Sequence, residues 1–502
     1  MLRWLPLALI TLVALWLRTH ELTRRPMHAD EANQAVKLGS LLETGHYAFD
    51  PRDHHGPTLY YAALPIAWVR GEKNLASLSE TSVRLVPAFA GTLSVLLLAA
   101  AAMPLGRWPA LASAAFLAIS PPAVYFSRYF IQETLLATCI LAVVVSVQRW
   151  LRTGATRWAI AAGFCAGLAQ ATKASAPLFL VIAALAWSLA RLVKSPSSAV
   201  VLPTAAPLPA PGPTPRCQLY PGRALLLAGS VGLGTAALLY SSFLTHPTGL
   251  VDALGAYSQA LTRFGATAAP TGHEKAWGYY LRIFGWFRSG GLVWHQLVFT
   301  VLALAGILIT LLRRDRWCFG VAVYTVTIFA VFSGFAYKTP WHLIHFVPGR
   351  AVLAALALAR LAQQPRGGLF ATGAALLVGG TLWQQTWLTS FLRPADQRNP
   401  YAYVHSSADV LKYRALAEAA VARSPLAPIR VISEEYWPLP WYLRTLPQVG
   451  FWSQSPPDAN GSLVITSPAQ LAAVRASLHG PYRESILGLR PGVFCIVLTP
   501  DP

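Results

Sequence analysis

Runs of roughly 18 to 22 apolar residues, parted by short polar breaks, recur over most of the chain. Each is long enough to cross about 30 Å of hydrocarbon as a helix. They predict about eleven membrane spans: 5–17, 82–105, 109–127, 131–149, 157–172, 176–192, 223–244, 293–312, 317–335, 342–362 and 368–389. The first has the length of a signal-peptide core, but no small-residue cleavage site follows it, so it reads as an anchor. A polar loop over about 21–80 separates it from the second span. Residues 195–222 are Pro/Ala-rich and cannot form a helix interior, which makes them a flexible linker.

Beyond residue 390 the periodicity changes. Ser407-Ala-Asp-Val410 opens a helical pattern, and Ile429–Ser433, Ser462–Thr466 and Val493–Leu498 read as strands. Ser467-Pro468 starts a further helix that Gly480 ends. The expected class is an all-α polytopic membrane protein: residues 1–390 form the transmembrane domain and residues 391–502 a small soluble α/β domain.

Composition agrees, since 55% hydrophobic and 12% charged residues is far more apolar than a soluble protein. The formal charge of +20 could suit nucleic acid, but the basic residues are not gathered into one surface, and that partner is excluded. Cys139, Cys165, Cys217, Cys318 and Cys495 are scattered and show neither a disulfide framework nor a CxxC metal site.

Most basic residues sit between apolar segments. With a cytoplasmic N-terminus, the cytoplasmic loops carry Arg107, then Arg149, Arg152 and Arg157, then Arg191, Lys194, Arg216 and Arg223. Arg313, Arg314, Arg316, Arg360 and Arg366 continue the series. Of the 20 acidic residues only Asp315 then falls on the cytoplasmic side, and the C-terminal domain lies outside. One contradiction remains: Arg18, Arg24 and Arg25 follow the first span on the outer side.

Five polar clusters share that outer side. The first loop holds His28, Asp30, Glu31, Asn33, then Asp50, Asp53, His54, His55 and Tyr60-Tyr61. A helix there would set Asp30, Asn33 and Lys37 on one face; a bland alternative makes Asp30 its N-cap. His54-His55 could ligate a metal, but adjacent histidines in a polar loop are more often surface residues. Next come Arg128 with Glu133, then Lys173, then His273-Glu274-Lys275 with Tyr279-Tyr280, and last Lys338 with His342. Each has a bland reading, whether bundle-closing ion pair, snorkelling lysine or aromatic belt. Their convergence on one side favours an active site.

A carboxylate can deprotonate an acceptor hydroxyl, and cations at the membrane boundary can hold a lipid-linked phosphate as it leaves. These parts suit glycosyl transfer from a polyprenyl-phosphate sugar to a glycan, lipid or protein acceptor, with inversion at the anomeric carbon. No cofactor is demanded, and a divalent metal ion is left open.

The ordered motifs also resemble a known family. They are His28–Ala32, Tyr47–Pro51 with His55-Gly-Pro57 and Tyr60-Tyr61, Ser127-Arg-Tyr129, Ala171-Thr-Lys173 and His273–Lys275 with Tyr279-Tyr280. Lys338–Trp341, Trp437–Arg444 and Leu489–Val493 complete the set. Together they look like GT-C-fold membrane glycosyltransferases of the protein O-mannosyltransferase and aminoarabinose-transferase type, closest to the "flippase activity-associated" branch linked to archaeal N-glycosylation. The resemblance implies Asp30 as catalytic base, Glu31 as its neighbour in acceptor or donor binding, and Arg128 as a lipid-phosphate ligand. Position and charge add Lys173 and Lys338 at the phosphate, with His28, Asn33, His55, Tyr60, Glu133, His273, Glu274 and His342 as substrate-binding candidates. The rivals are a lipid-linked saccharide flippase, a non-enzymatic accessory of a glycosylation pathway, and a scaffold presenting residues 391–502. Charges at the outer ends of spans, rather than through the bilayer depth, favour the transferase.

Overall fold

The computed structural model describes residues 4–53, 55–193, 221–264 and 273–501, with backbone alone over 259–264. The 195–222 linker lies outside the described residues except for Pro221 and Gly222, which open a helix. His54, one of the two adjacent histidines, also lies outside them.

Each of the eleven predicted segments contains a helix. These are α1 (Leu5–Thr19), α4 (Glu80–Ala102), α5 (Arg107–Ala118) with α6 (Pro121–Phe126), α7 (Gln132–Thr153), α8 (Thr156–Thr172) and α9 (Ala176–Leu192). The series continues with α10 (Pro221–Tyr240), α13 (Leu297–Arg313), α14 (Arg316–Gly334), α15 (Val347–Ala362) and α16 (Gly367–Trp387). Among the described residues, five helical stretches are long and apolar enough to cross a membrane unaided. The 109–127 segment is not one helix: the chain breaks at Ile119-Ser120, because the residue before Pro121-Pro122 is pushed out of the α region.

The polar loop over 21–80 is itself helical. It holds α2 (Ala29–Thr44) and the apolar α3 (Thr58–Val69), which the span pattern missed. Past α10 come α11 (Gly249–Phe264), the short α12 (Tyr279–Phe284) and a hairpin of β1 (Trp286–Ser289) and β2 (Leu292–His295).

The C-terminal region carries α17 (Val410–Arg423), α18 (Leu439–Tyr442) and α19 (Leu471–Ala476) around a five-stranded sheet. Its strands are β3 (Ile429–Ile432), β4 (Val449–Trp452), β5 (Leu463–Thr466), β6 (Tyr482–Arg490) and β7 (Val493–Pro500), in the order β4-β3-β5-β7-β6. β3 pairs in parallel with β4 and β5, whereas β7 runs antiparallel to β5 and β6. The sequence pattern omits β4 and β6, whose residues are mostly half-exposed and lack a continuous apolar run.

This region does not stand off from the rest. Ile429, Val431, Tyr413 and Trp441 share one buried apolar cluster with Met27, Leu38, Tyr47 and Leu59 of the outer loop. Polar contacts pin the same seam: Tyr442 Oη accepts from Met27 N–H (2.8 Å), Trp441 Nε1 donates to Glu80 (3.1 Å), and Arg444 donates to the Leu78 carbonyl (2.8 Å).

Close helix packing in the bundle rests on small residues. A side chain at Gly306 on α13 would run into the Leu353 carbonyl of α15, whereas Gly379 on α16 faces open space. Gly306→Leu is therefore expected to destabilise the detergent-solubilised protein by about 1–3 kcal/mol, with Gly379→Leu within about 0.5 kcal/mol of wild type, read by thermal unfolding.

Candidate functional site

The two adjacent carboxylates part company at the first turn of α2. His28 is the N-cap, its Nδ1 accepting from Asp30 N–H (3.1 Å), so Asp30 is a first-turn residue and not the cap. Nε2 of His28 lies 3.0 Å from the Tyr403 carbonyl. With one ring nitrogen accepting and the other donating, the imidazole is the neutral Nε2–H tautomer. Asp30 is half-exposed, its side chain 51% accessible.

Glu31 is fully buried. Arg84 grips its carboxylate with both Nε and Nη2 (2.9 Å each), and Arg25 Nη2 adds a third bond (3.0 Å). The backbone N–H groups of His28 and Phe130 supply two more (3.0 Å each). Burial raises the Glu31 pKa, but the two arginines outweigh it and hold the carboxyl well below its ordinary range. Arg84 also donates to the carbonyls of Leu22 (2.5 Å), Arg25 (3.0 Å) and Pro26 (3.2 Å), so every N–H of its guanidinium is used. Both Glu31 oxygens are thus bonded inside the protein, whereas the Asp30 carboxylate next to it is accessible.

Arg128 is enclosed as well. Its guanidinium donates to the carbonyls of Leu17 (3.0 Å), His20 (2.6 Å) and Glu21 (3.0 Å) and lies 4.6 Å over the Phe391 ring, almost wholly buried. Lys338 is also buried, donating to the carbonyls of Lys275 (3.0 Å) and Phe335, and burial lowers its pKa. It staples the 273–275 segment to 335–338, where Lys275 N–H bonds the Ala336 carbonyl and Lys338 N–H the His273 carbonyl (3.1 Å each).

Around Asp30 the structure gathers His28, His273, Tyr403 and Arg490. His273 Nδ1 meets Tyr403 Oη at 2.5 Å, and Trp341 lies against the Tyr403 ring, centroids 6.0 Å apart. Burial lowers the His273 pKa despite the opposite pull of Asp30 and Glu274. Burial also lowers that of Arg490, again against the pull of Asp30. Arg490 ion-pairs with Glu435 and donates to the Trp437 carbonyl (3.2 Å). Glu274 is exposed and bridges backbone-wise to Tyr337.

A second group lies further along α2. Asn33 and Lys37 both hold Asp53, at 3.3 and 2.7 Å. Gly56 N–H bonds the Thr172 carbonyl (3.2 Å), which seats His55 beside Lys173, and Lys173 pairs with Glu133. His342 is buried in the same neighbourhood, its Nδ1 3.1 Å from Tyr280 Oη. Tyr60 is buried under α2, donating to Gln34, which also accepts from Gln132 Nε2 (3.0 Å). No three His, Cys, Asp or Glu side chains group as metal ligands among the described residues.

Arg25, Arg84, Tyr403 and Arg490 were missed as site residues. Arg84 carried a signal, since an arginine inside a predicted span is costly unless paired. Nothing in the local pattern joins Tyr403 or Arg490 to Asp30, which lies some 370 and 460 residues earlier in the chain.

Residues 66–211 match the family of dolichyl-phosphate-mannose-protein mannosyltransferases. The whole chain superposes on ArnT from Cupriavidus metallidurans in the apo state, with a TM-score of 0.60, 14% identity and 99% of both chains covered. It is similar to the archaeal oligosaccharyltransferase AglB from Archaeoglobus fulgidus, with a TM-score of 0.54, 13% identity and coverage of 97% of this chain and 74% of that one. The arabinofuranosyltransferase AftD from Mycobacteria also matches, with a TM-score of 0.54, 14% identity and coverage of 100% and 40%. No curated protein sequence matches the chain. The expected GT-C fold is the fold observed.

Glu31→Gln leaves Arg25 and Arg84 buried without a counter-charge and is expected to destabilise by about 3–5 kcal/mol. Asp30→Asn should stay within about 0.5 kcal/mol, both read by thermal unfolding. Because the Glu31 pKa is depressed in the folded state, its contribution is complete above the unfolded value of about 4.3 and is lost as pH falls below it. The wild-type unfolding temperature should drop through that window.

Proposed function

We propose that the protein is a membrane glycosyltransferase that moves a sugar from a polyprenyl-phosphate donor to an acceptor at the outer face of the membrane. The observation that carries this reading is the split of the acidic pair. Of the two, Asp30 alone presents an accessible carboxylate, at a helix N-terminus framed by buried His28 and half-buried His273, Tyr403 and Arg490. The likeness to a structure of ArnT bound to undecaprenyl phosphate and to an AglB complex with dolichol-phosphate supports the donor class.

In the proposed reaction the Asp30 carboxylate takes the proton of an acceptor hydroxyl as its oxygen attacks the anomeric carbon. The bond from that carbon to the phosphate oxygen breaks, and polyprenyl phosphate leaves with the electron pair, inverting the configuration. Among the three cations expected at the phosphate, Lys173 is the one that fits. Its side chain keeps 15% accessibility beside His55 and His342, whereas Arg128 and Lys338 bond carbonyls. Glu31 acts as a positioning residue through the arginines, and Tyr403, His273 and Arg490 border the acceptor.

Purified protein given labelled polyprenyl-phosphate sugars should transfer the label, and Asp30→Asn should lower the rate by about 10²–10⁴-fold without changing the unfolding temperature. Equal transfer by both removes Asp30 as base. Lipid scrambling in liposomes with no transfer from any donor would replace the transferase reading with a flippase.

A further inference from the structure

We propose that an acidic glycerophospholipid of the surrounding bilayer docks at the end of the helix bundle opposite Asp30, in the cleft between the ends of α9, α13 and α14. This inference stands apart from the glycosyl-transfer reading.

α13 begins at Gln296, which bonds Tyr401 on the site side (2.8 Å), and its 17 residues carry Arg313 about 25 Å away. There the chain turns into α14 through Arg313-Arg314-Asp315-Arg316. Asp315 offsets one of these charges but forms no ion pair with them among the described residues, its Oδ1 accepting from Cys318 N–H (2.8 Å) as the N-cap of α14. Arg316 Nε donates to the Val193 carbonyl (2.9 Å), which draws the end of α9 and Arg191 to the same place. No salt bridge among the described residues includes Arg191, Arg313, Arg314 or Arg316, and all four are exposed.

Between these helix ends lies an open cleft of about 370 Å³, lined by Leu192, Val193, Leu311, Arg314 and Phe319. Arg314 holds its left-handed backbone (φ 55°) as the C-cap of α13, and its side chain lines the mouth. Leu192, Leu311 and Leu312 present bare apolar surface alongside. An apolar wall topped by uncompensated guanidinium groups, at the level where α13 ends, matches a lipid with acyl chains below and an anionic headgroup above. A free anion would use the arginines but leave the apolar wall wet. A zwitterionic lipid would fill the wall but leave the charge unmet.

The test is native mass spectrometry of the full-length protein with phosphatidylglycerol, cardiolipin or phosphatidylcholine. The double variant R313Q/R314N spares the Arg316–Val193 bond and gives the left-handed cap a residue that tolerates it. R149Q/R152Q removes equal charge from another basic loop. Wild type is expected to retain the acidic lipids over phosphatidylcholine. R313Q/R314N should weaken them on the order of 30-fold, and R149Q/R152Q should leave them nearly unchanged. Unfolding temperatures of both variants in phosphatidylcholine discs show whether each is folded; should R313Q/R314N fail there, R313Q alone carries the comparison. Equal loss in both variants, indifference to headgroup charge, or displacement of the lipid by inorganic phosphate would overturn the assignment.

Discussion

The buried carboxylate of Glu31 is the constraint around which this end of the molecule is arranged. An isolated ion at that depth would be prohibitively costly, and a single counter-ion would leave oxygen lone pairs unmet. Five donors meet it, from four residues in three separate stretches of chain: Arg25 and His28 just ahead of α2, Arg84 on α4 and Phe130 in the turn ahead of α7. Each donor is fixed in turn. Arg84 holds three carbonyls of the 22–26 segment, and Arg25 also donates to the Arg128 carbonyl (2.9 Å) and lies 3.4 Å over the Tyr129 ring. The network closes the first outer loop onto the bundle through charge, while the apolar cluster of Met27, Tyr47, Leu59 and Trp441 closes it by burial.

That closure decides what its neighbour can do. Successive residues on a helix point about 100° apart, so driving Glu31 inward turns Asp30 toward the open side. The Asp30 backbone is fixed as well, because its N–H is held by a neutral His28 whose other ring nitrogen meets the start of the C-terminal region at Tyr403. A carboxylate held this way lies on a rigid element with its supporting shell bonded on both sides, which would suit the proton abstraction proposed for it. The C-terminal sheet belongs to that shell, since α18 and the 403–406 segment press directly on the α2 start.

Much of this was legible in the chain. The apolar runs located a helix in every predicted segment, and sorting the charges brought out Asp30 and Glu31. The roles of the cations were not legible. Arg128 and Lys338 satisfy backbone carbonyls left unpaired where helices end, and which carbonyls lie within reach depends on tertiary packing, not on local pattern. The 391–502 region holds one apolar cluster of its own, with Ile432, Val464, Val474 and Leu498, and shares another with the first polar loop. Composition shifts there because the chain leaves the apolar spans, but its sheet buries one face against the outer loop, and a shift in composition cannot distinguish a separate core from a shared one.

The three arginines that contradict the charge sort fit the same principle. Arg18 is fully buried and donates to the carbonyls of Leu117 (3.3 Å) and Ala118 (2.9 Å), the end of α5 that Pro121-Pro122 breaks off. Arg24 pairs with Glu21 (2.6 Å), and Arg25 belongs to the Glu31 network. Arginine bias orients a chain through charges in short flanking loops. These three have internal partners in the folded protein, two of them out of water, and their place in the sequence follows from what they hold together. The helix break at Ile119-Ser120 and the buried acid at Glu31 are each met by a cation at the C-terminal end of α1. The contradiction in the charge pattern is therefore the sequence trace of the two buried polar sites that close this end of the bundle.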